Sequence, residues 1–173
     1  DLADPALAQR LGDLARTKPV RFEGQTIRLG DEDVTEAVRT EAAGMAASRV
    51  SALPAVRQAL LALQHGFARL PGLVADGRDM GTVIFPQAPL KVYLTASAAQ
   101  RADRRHKQLI SKGIPATLDS LLADLKARDL RDSTRLDAPL KPAEDAKLLD
   151  NSGLDVEQSV EQVLLWWQGK RPF

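Results

Sequence analysis

Three short apolar runs, each closed by polar residues and separated by stretches of helical periodicity, constrain the fold of this chain most. Residues 73–75 (Leu-Val-Ala), 90–94 (Leu-Lys-Val-Tyr-Leu) and 147–149 (Lys-Leu-Leu) are too short for helices and read as buried strands. Strands that alternate with helices build a parallel sheet, so the chain is expected to be α/β. There are no internal repeats and no low-complexity tracts to suggest otherwise.

The first of these runs opens the stretch Gly72-Leu73-Val74-Ala75-Asp76-Gly77-Arg78-Asp79-Met80-Gly81-Thr82. In open α/β sheets, ligands sit outside the carboxyl ends of the strands. Here that end presents a guanidinium fork beside a carboxylate. Arg78 can grip a phosphate or carboxylate with paired hydrogen bonds, and Asp79 can accept from an amino or hydroxyl group. Gly77 and Gly81 suit a sharp turn where a side chain would clash. An isolated Gly-Arg-Asp is more often a plain ion pair in a βα turn, and it is the rest of the chain that favours a binding role.

The 173 residues suffice for one domain with a good core, or for a core domain carrying an insert. Lysine and arginine total 24 against 23 acids, a formal net charge of +1, which argues against a general nucleic-acid or membrane-surface role. Cysteine is absent and His65 and His106 are the only imidazoles, so no disulfide or thiolate metal site is available and zinc is not expected. No apolar run reaches the roughly 20 residues that cross a bilayer, and no signal peptide is visible, so the expectation is a soluble, cytoplasmic protein.

Taken in order, Asp4 caps and Pro5 starts a helix to Arg16, with Leu7, Leu11 and Leu14 at helical spacing. Residues 20–30 alternate on either side of Gly24-Gln25 as a small antiparallel hairpin, with 33–34 as a third short strand. Residues 35–50 look helical, with Ser48 and Arg49 near the end. Pro54 starts a further helix to about Arg69, whose apolar face is Val56, Leu60, Leu63, Phe67 and Leu70. Arg57 borders that face and can reach a site at the helix's start, although a solvated arginine is commoner there. A helix over about 97–112 carries Arg101, Arg104 and Arg105 on one basic face. The next, following Thr117-Leu118-Asp119, continues through Arg128. Arg128, Asp132 and Arg135 at i, i+4 and i+7 project to one side, a pattern that usually marks a salt-bridged exposed face. Residues 154–167 close the chain with Val156, Val160, Val163, Leu164 and Trp167 on one apolar face.

These pieces together resemble a known family. Ala47-Ser48, Pro54-Ala55-Val56-Arg57, the run from Gly72 to Thr82, Phe85-Pro86 and Arg128-Asp129-x-x-Asp132-x-x-Arg135 are similar to the bacterial-type cytidylate kinases, P-loop nucleoside monophosphate kinases that act on CMP or dCMP. The likeness spans essentially the whole chain, and its Asp-Gly-Arg-Asp-Met-Gly-Thr run is the specific part. It implies a three-layer P-loop kinase-like fold: a parallel sheet flanked by helices, a small antiparallel-ribbon insert in the monophosphate-binding domain, and a helical lid. The implied division is 1–18 core, 19–53 monophosphate-binding insert, 54–100 core, 101–116 lid and 117–173 core.

The resemblance also implies roles. Ser48, Arg57 and Asp79 would read the cytosine edge, and Arg78 and Arg135 would hold the acceptor phosphate. Arg128 and Asp132 would sit at the pentose, and Arg101, Arg104 and Arg105 would belong to the lid over ATP. The arginines Arg78, Arg128 and Arg135 would be the catalytic set, with Mg²⁺ arriving with ATP as the cofactor and no dedicated metal ligands on the protein. The expected partners are CMP or dCMP and ATP, without nucleic acid or membrane, on a monomer. The donor-phosphate loop Gly-x-x-x-x-Gly-Lys-Ser/Thr and the family's Asp-Ser-Gly-x-x-Tyr-Arg segment do not occur in the sequence. The family places both at its extreme N-terminus, so the leading expectation is an enzyme whose N-terminal segment precedes Asp1. A polypeptide that truly lacks that segment is expected to lack a central strand and a donor site, and to be inactive. The competing readings are a non-catalytic nucleotide-binding fragment or module derived from such a kinase, and an RNA-binding domain using the basic face. The balanced charge and seven aromatic residues (two Trp, one Tyr, four Phe) give the latter little support.

Overall fold

A computed structural model describes residues 4–170. The chain is α/β and divides into two compact units. One runs up to Ala75 and includes Arg135–Asp137, and the other comprises Asp76–Thr134 and the chain from Ala138 onward.

The first unit begins with helix α1 (Pro5–Thr17). Asp4 caps it by accepting from the Ala6 N–H, and Pro5 takes the first turn, where its missing donor costs nothing. A ribbon follows: β1 (Val20–Glu23), β2 (Thr26–Leu29) and β3 (Glu32–Asp33), antiparallel in the order 1-2-3, with Phe22 opposite Ile27. Its two turns hinge on Gly24 and Gly30, whose φ values of 62° and 64° are the left-handed conformation that glycine alone adopts without strain. A two-stranded or three-stranded ribbon needs neighbours. Here Phe22 meets Phe67 edge to face, ring centroids 5.4 Å apart.

Helix α2 (Glu41–Val50) starts later than expected. Residues 35–36 form a turn and Ala37–Arg39 a 3₁₀ turn, because Thr40 caps α2 by accepting from the Ala43 N–H and so fixes its start. Helix α3 (Pro54–Gly66) packs against α1. It stops short of the expected Arg69, and Leu70 is exposed; of the expected apolar stripe only Val56 is buried, with Ala59 buried outside it. The close approach of α1 and α3 requires Gly12: a Cβ there would lie 3.0 Å from the Ala55 carbonyl oxygen.

In the second unit, β4 (Val92–Thr95) and β5 (Lys147–Asp150) pair in parallel, Thr95 beside Asp150, which brings their carboxyl ends together. Ser97 caps α4 (Ala98–Ser111) and also donates its N–H to Ser152 Oγ at 3.0 Å, while Asp150 Oδ1 accepts from Ser152 N–H. Helix α5 (Leu118–Thr134) packs on α4 through Ala102, Leu109 and Leu121, flanked by Leu122 and Leu125. Helix α6 (Val156–Gln168) starts from a capping box formed by Asp155 and Gln158.

Three expectations need correction. Residues 73–75 join no ladder among the described residues, and Val74 is fully exposed, so the run is extended chain and not a buried strand. A strand forms only when its N–H and C=O groups find a partner, and apolar character alone supplies none. The other two expected buried strands do pair but are shallow: β5 is buried only at Leu149, and β4 begins at Val92 instead of Leu90 and buries no residue, Leu94 being exposed. The stripe of α6 is likewise exposed, at Val156, Val160 and Leu164. Among the described residues no helix is long and apolar enough to cross a membrane.

Replacing Gly12 with valine should lower unfolding free energy by about 1–3 kcal/mol, the usual cost of overpacking, despite valine's better helix propensity. Urea denaturation measures it, and an unchanged midpoint would mean that α1 and α3 need no close contact.

Candidate functional site

The Asp76–Ile84 segment turns sharply, through a single turn of π-helix at Met80–Ile84. The Asp79 carbonyl accepts from Val83 (2.9 Å) and Ile84 (3.2 Å), and the Met80 carbonyl from Phe85 (2.6 Å). Such five-residue turns are rare and concentrate at functional sites. The two glycines serve room here and not a left-handed φ. A Cβ on Gly77 would come within 2.9 Å of Met80, and one on Gly81 within 3.1 Å of the Lys91 side chain. Lys91 lies along Gly81 and extends its ammonium to Asp145 Oδ1 at 2.9 Å. That bond holds the exposed Asp145 carboxyl below its usual range.

The turn buries Asp79 and projects Arg78 toward α5. Arg78 Nε donates to Asp132 Oδ2 at 2.8 Å, and Arg128 Nε, one helical turn before Asp132, lies 3.8 Å from the same oxygen. Asp132 is 2% exposed. A carboxylate that far from water requires cations and donors around it, and two guanidinium groups stand at one oxygen. The expected i, i+4 pair of Arg128 and Asp132 is therefore a buried device linked across 54 residues to Arg78, instead of a solvated face.

Arg135 lies one residue beyond α5 and falls in the first unit with Ser48 and Arg57. Ser48 is buried in α2. Ser51, at the end of that helix, is the residue that sequence reasoning missed. Its hydroxyl donates to the Ser48 carbonyl (3.1 Å) and accepts from Arg135 Nη1 (3.4 Å), while its carbonyl accepts from Arg57 Nη1 (3.3 Å). The only sequence signal was its place at the α2 C-terminus, just before the Leu53-Pro54 break. The first unit thus gathers Ser48, Arg57 and Arg135 around Ser51, and the second gathers Arg78, Arg128 and Asp132. Asp79 borders the second group through the turn it shares with Arg78.

The three arginines of α4 do not form one free basic face. Arg101 meets Asp129 with both Nη nitrogens and the Ala96 carbonyl with Nε. The Asp129 carboxylate holds its guanidinium even more firmly protonated than usual. Arg104 binds the Oδ1 and carbonyl oxygens of Asn151, and Arg105 Nη1 donates to Gln108.

The α/β fold with its parallel strand pair, the glycine-flanked Arg-Asp turn and the clustered guanidinium groups are consistent with a kinase of the P-loop fold. The chain belongs to the cytidylate kinase family, whose model matches residues 2–168. It is 56% identical over 172 residues to a cytidylate kinase of Cupriavidus necator, covering 99% of this chain and 76% of that protein. A cytidylate kinase of Burkholderia pseudomallei is 54% identical over 165 residues (95% and 72%), and one of Ralstonia pickettii is 56% identical over 155 (90% and 67%).

Two outcomes follow from this geometry. Asp132→Asn keeps the shape but removes the anion between two guanidinium groups, and should cost about 1.5–3 kcal/mol in chemical denaturation. An unaltered unfolding curve would mean the contact holds nothing in place. Because the folded Asp145 carboxyl titrates below its unfolded value, its bond to Lys91 stabilises fully above about pH 4 and is lost as the pH falls further. Wild type should therefore melt above Asp145→Asn at pH 6, with the difference shrinking as the pH falls below about 4.

Proposed function

We infer that this chain is a cytidylate kinase, moving the terminal phosphoryl group of ATP to CMP or dCMP and giving ADP with CDP or dCDP. The reading rests on the family match across residues 2–168. In the transfer, an oxygen of the acceptor phosphate bonds to the γ-phosphorus as the bond to the ADP oxygen breaks, without a covalent enzyme intermediate. The protein's part is alignment, exclusion of water and neutralisation of charge.

Arg78 and Arg135 are assigned to the acceptor phosphate, where planar forks match the oxygens. Arg128 and Asp132 are assigned to the pentose, and Ser48, Arg57 and Asp79 to the cytosine edge, where a hydroxyl, a donor fork and an acceptor are the groups needed to read a base. Arg78, Arg128 and Arg135 stabilise the transferring charge. The buried environment of Asp79 and Asp132 supports these roles, since a carboxylate shielded from water bonds a hydroxyl or amine strongly.

Mg²⁺ is proposed to come with ATP. This ion is usually carried by substrate phosphates with one or two protein carboxylates. Arg104 and Arg105 are assigned to the lid over the donor phosphates. The protein is proposed to work as a monomer in the cytoplasm.

An ADP-release assay on the full-length protein with CMP, dCMP, UMP and AMP tests the substrate. CMP and dCMP should lead, and a strong preference for AMP would overturn the assignment of Ser48, Arg57 and Asp79. Arg135→Ala should lower kcat by about a hundredfold or more while changing stability by under about 1 kcal/mol. Lost stability with unchanged turnover per folded molecule would remove Arg135 from the phosphate.

A further inference from the structure

The guanidinium of Arg101 is committed on all three nitrogens. Nη1 donates to Asp129 Oδ1 at 3.0 Å, Nη2 to Asp129 Oδ2, and Nε to the Ala96 carbonyl at 3.2 Å. One side chain therefore ties three pieces of the second unit: the residue after β4, the first turn of α4, and α5.

Where Asp129 sits on α5 gives this tie its meaning. The apolar contacts of α5 with α4 come from Leu121, Leu122 and Leu125, packed with Ala102 and Leu109. Leu121, Leu125 and Asp129 are spaced i, i+4 and i+8, so Asp129 occupies the place where the apolar stripe would continue. Beyond Leu125 the only fully buried residue of the helix is Asp132. The last two turns are thus held by polar contacts: Arg101 on Asp129, Arg78 on Asp132, and the Leu140 N–H on the Asp132 carbonyl at 2.8 Å.

An apolar stripe lets a helix rotate slightly with little change in energy. A fork-to-fork pair has two parallel bonds and a fixed plane, so it resists rotation. The tolerance at stake is small. A turn of about 10° around the helix axis swings a group about 7 Å from that axis by about 1.2 Å. Misplacement by about 1 Å is enough to cost about a hundredfold in a positioned reaction.

We propose that Arg101 and Asp129 are a positioning pair, which fixes the rotation of the last turns of α5 and so aims Arg128 and Asp132 at the acceptor nucleotide. Arg101 then acts through Asp129 and does not hold donor phosphates. The proposal rests on the assignment of Arg128 and Asp132 to the acceptor.

The test is a double-mutant cycle of Arg101→Ala, Asp129→Ala and the combination, with KM for acceptor and donor and kcat measured separately. Arg101→Lys and Asp129→Asn form a gentler second set in case an alanine variant fails to fold. Each single change should raise the acceptor KM or lower kcat by tenfold or more and leave the ATP KM within twofold. The double variant should be no worse than the poorer single. A raised ATP KM for the Arg101 variants alone would make Arg101 a donor-phosphate ligand and overturn the pair. Lower melting temperature with kinetics within twofold of wild type would reduce it to a structural tie, which also overturns it. The cycle uses whichever monophosphate wild type phosphorylates best. A preference for AMP would therefore sink the cytidylate reading while the pair is still decided by the KM for that acceptor.

Discussion

Burying the Asp132 carboxylate is the constraint around which the second unit is arranged. With 2% of its surface in contact with water, it has exchanged its hydration for guanidinium groups drawn from two places, the turn after Gly77 and the preceding turn of its own helix. Replacing hydration by fixed charges is unfavourable unless the partners are held rigidly, since an ion pair with loose geometry does not recover the cost of leaving water. Several otherwise unrelated features supply that rigidity. The π-helical turn aims Arg78, Lys91 packs over Gly81 beneath it, and the Leu140 N–H closes on the Asp132 carbonyl.

The first unit solves a similar problem more lightly. Arg57 and Arg135 both reach Ser51, one through its carbonyl and one through its hydroxyl, at 3.3 and 3.4 Å. Bonds of that length are easily exchanged for bonds to a ligand. The short contacts between Arg78 and Asp132 and between Arg101 and Asp129 are less readily given up.

What the sequence made legible followed from local rules. Asp4-Pro5 marked the start of α1 and Gly24-Gln25 the hairpin, because each acts over a few residues. The Asp-Gly-Arg-Asp-Met-Gly-Thr run identified the family, and the match over residues 2–168 bears that out. What stayed hidden depends on partners far along the chain. Residues 73–75 have strand-like character but pair with no neighbour among the described residues, and the stripe of α6 leaves Val156, Val160 and Leu164 exposed. The bond from Arg78 to Asp132 spans 54 residues and that from Arg101 to Asp129 spans 28, so no spacing rule could have paired them. Thr40 shows the opposite case: it could have been read as a cap, but the alanine-rich stretch around it suggested a longer helix.

The single π-helical turn at Met80–Ile84 also bears on how such a chain can vary in length. Its hydrogen bonds run from i to i+5, one residue further than in an α-helix, so losing a residue there would break the bonds from Ile84 to Asp79 and from Phe85 to Met80 and re-aim the chain after Arg78. The ribbon turns at Gly24 and Gly30 have nothing within 4 Å of the space a Cβ would fill. Insertions and deletions over evolutionary time are therefore far easier to absorb in the ribbon, while the segment that follows Arg78 is locked to its present residue count.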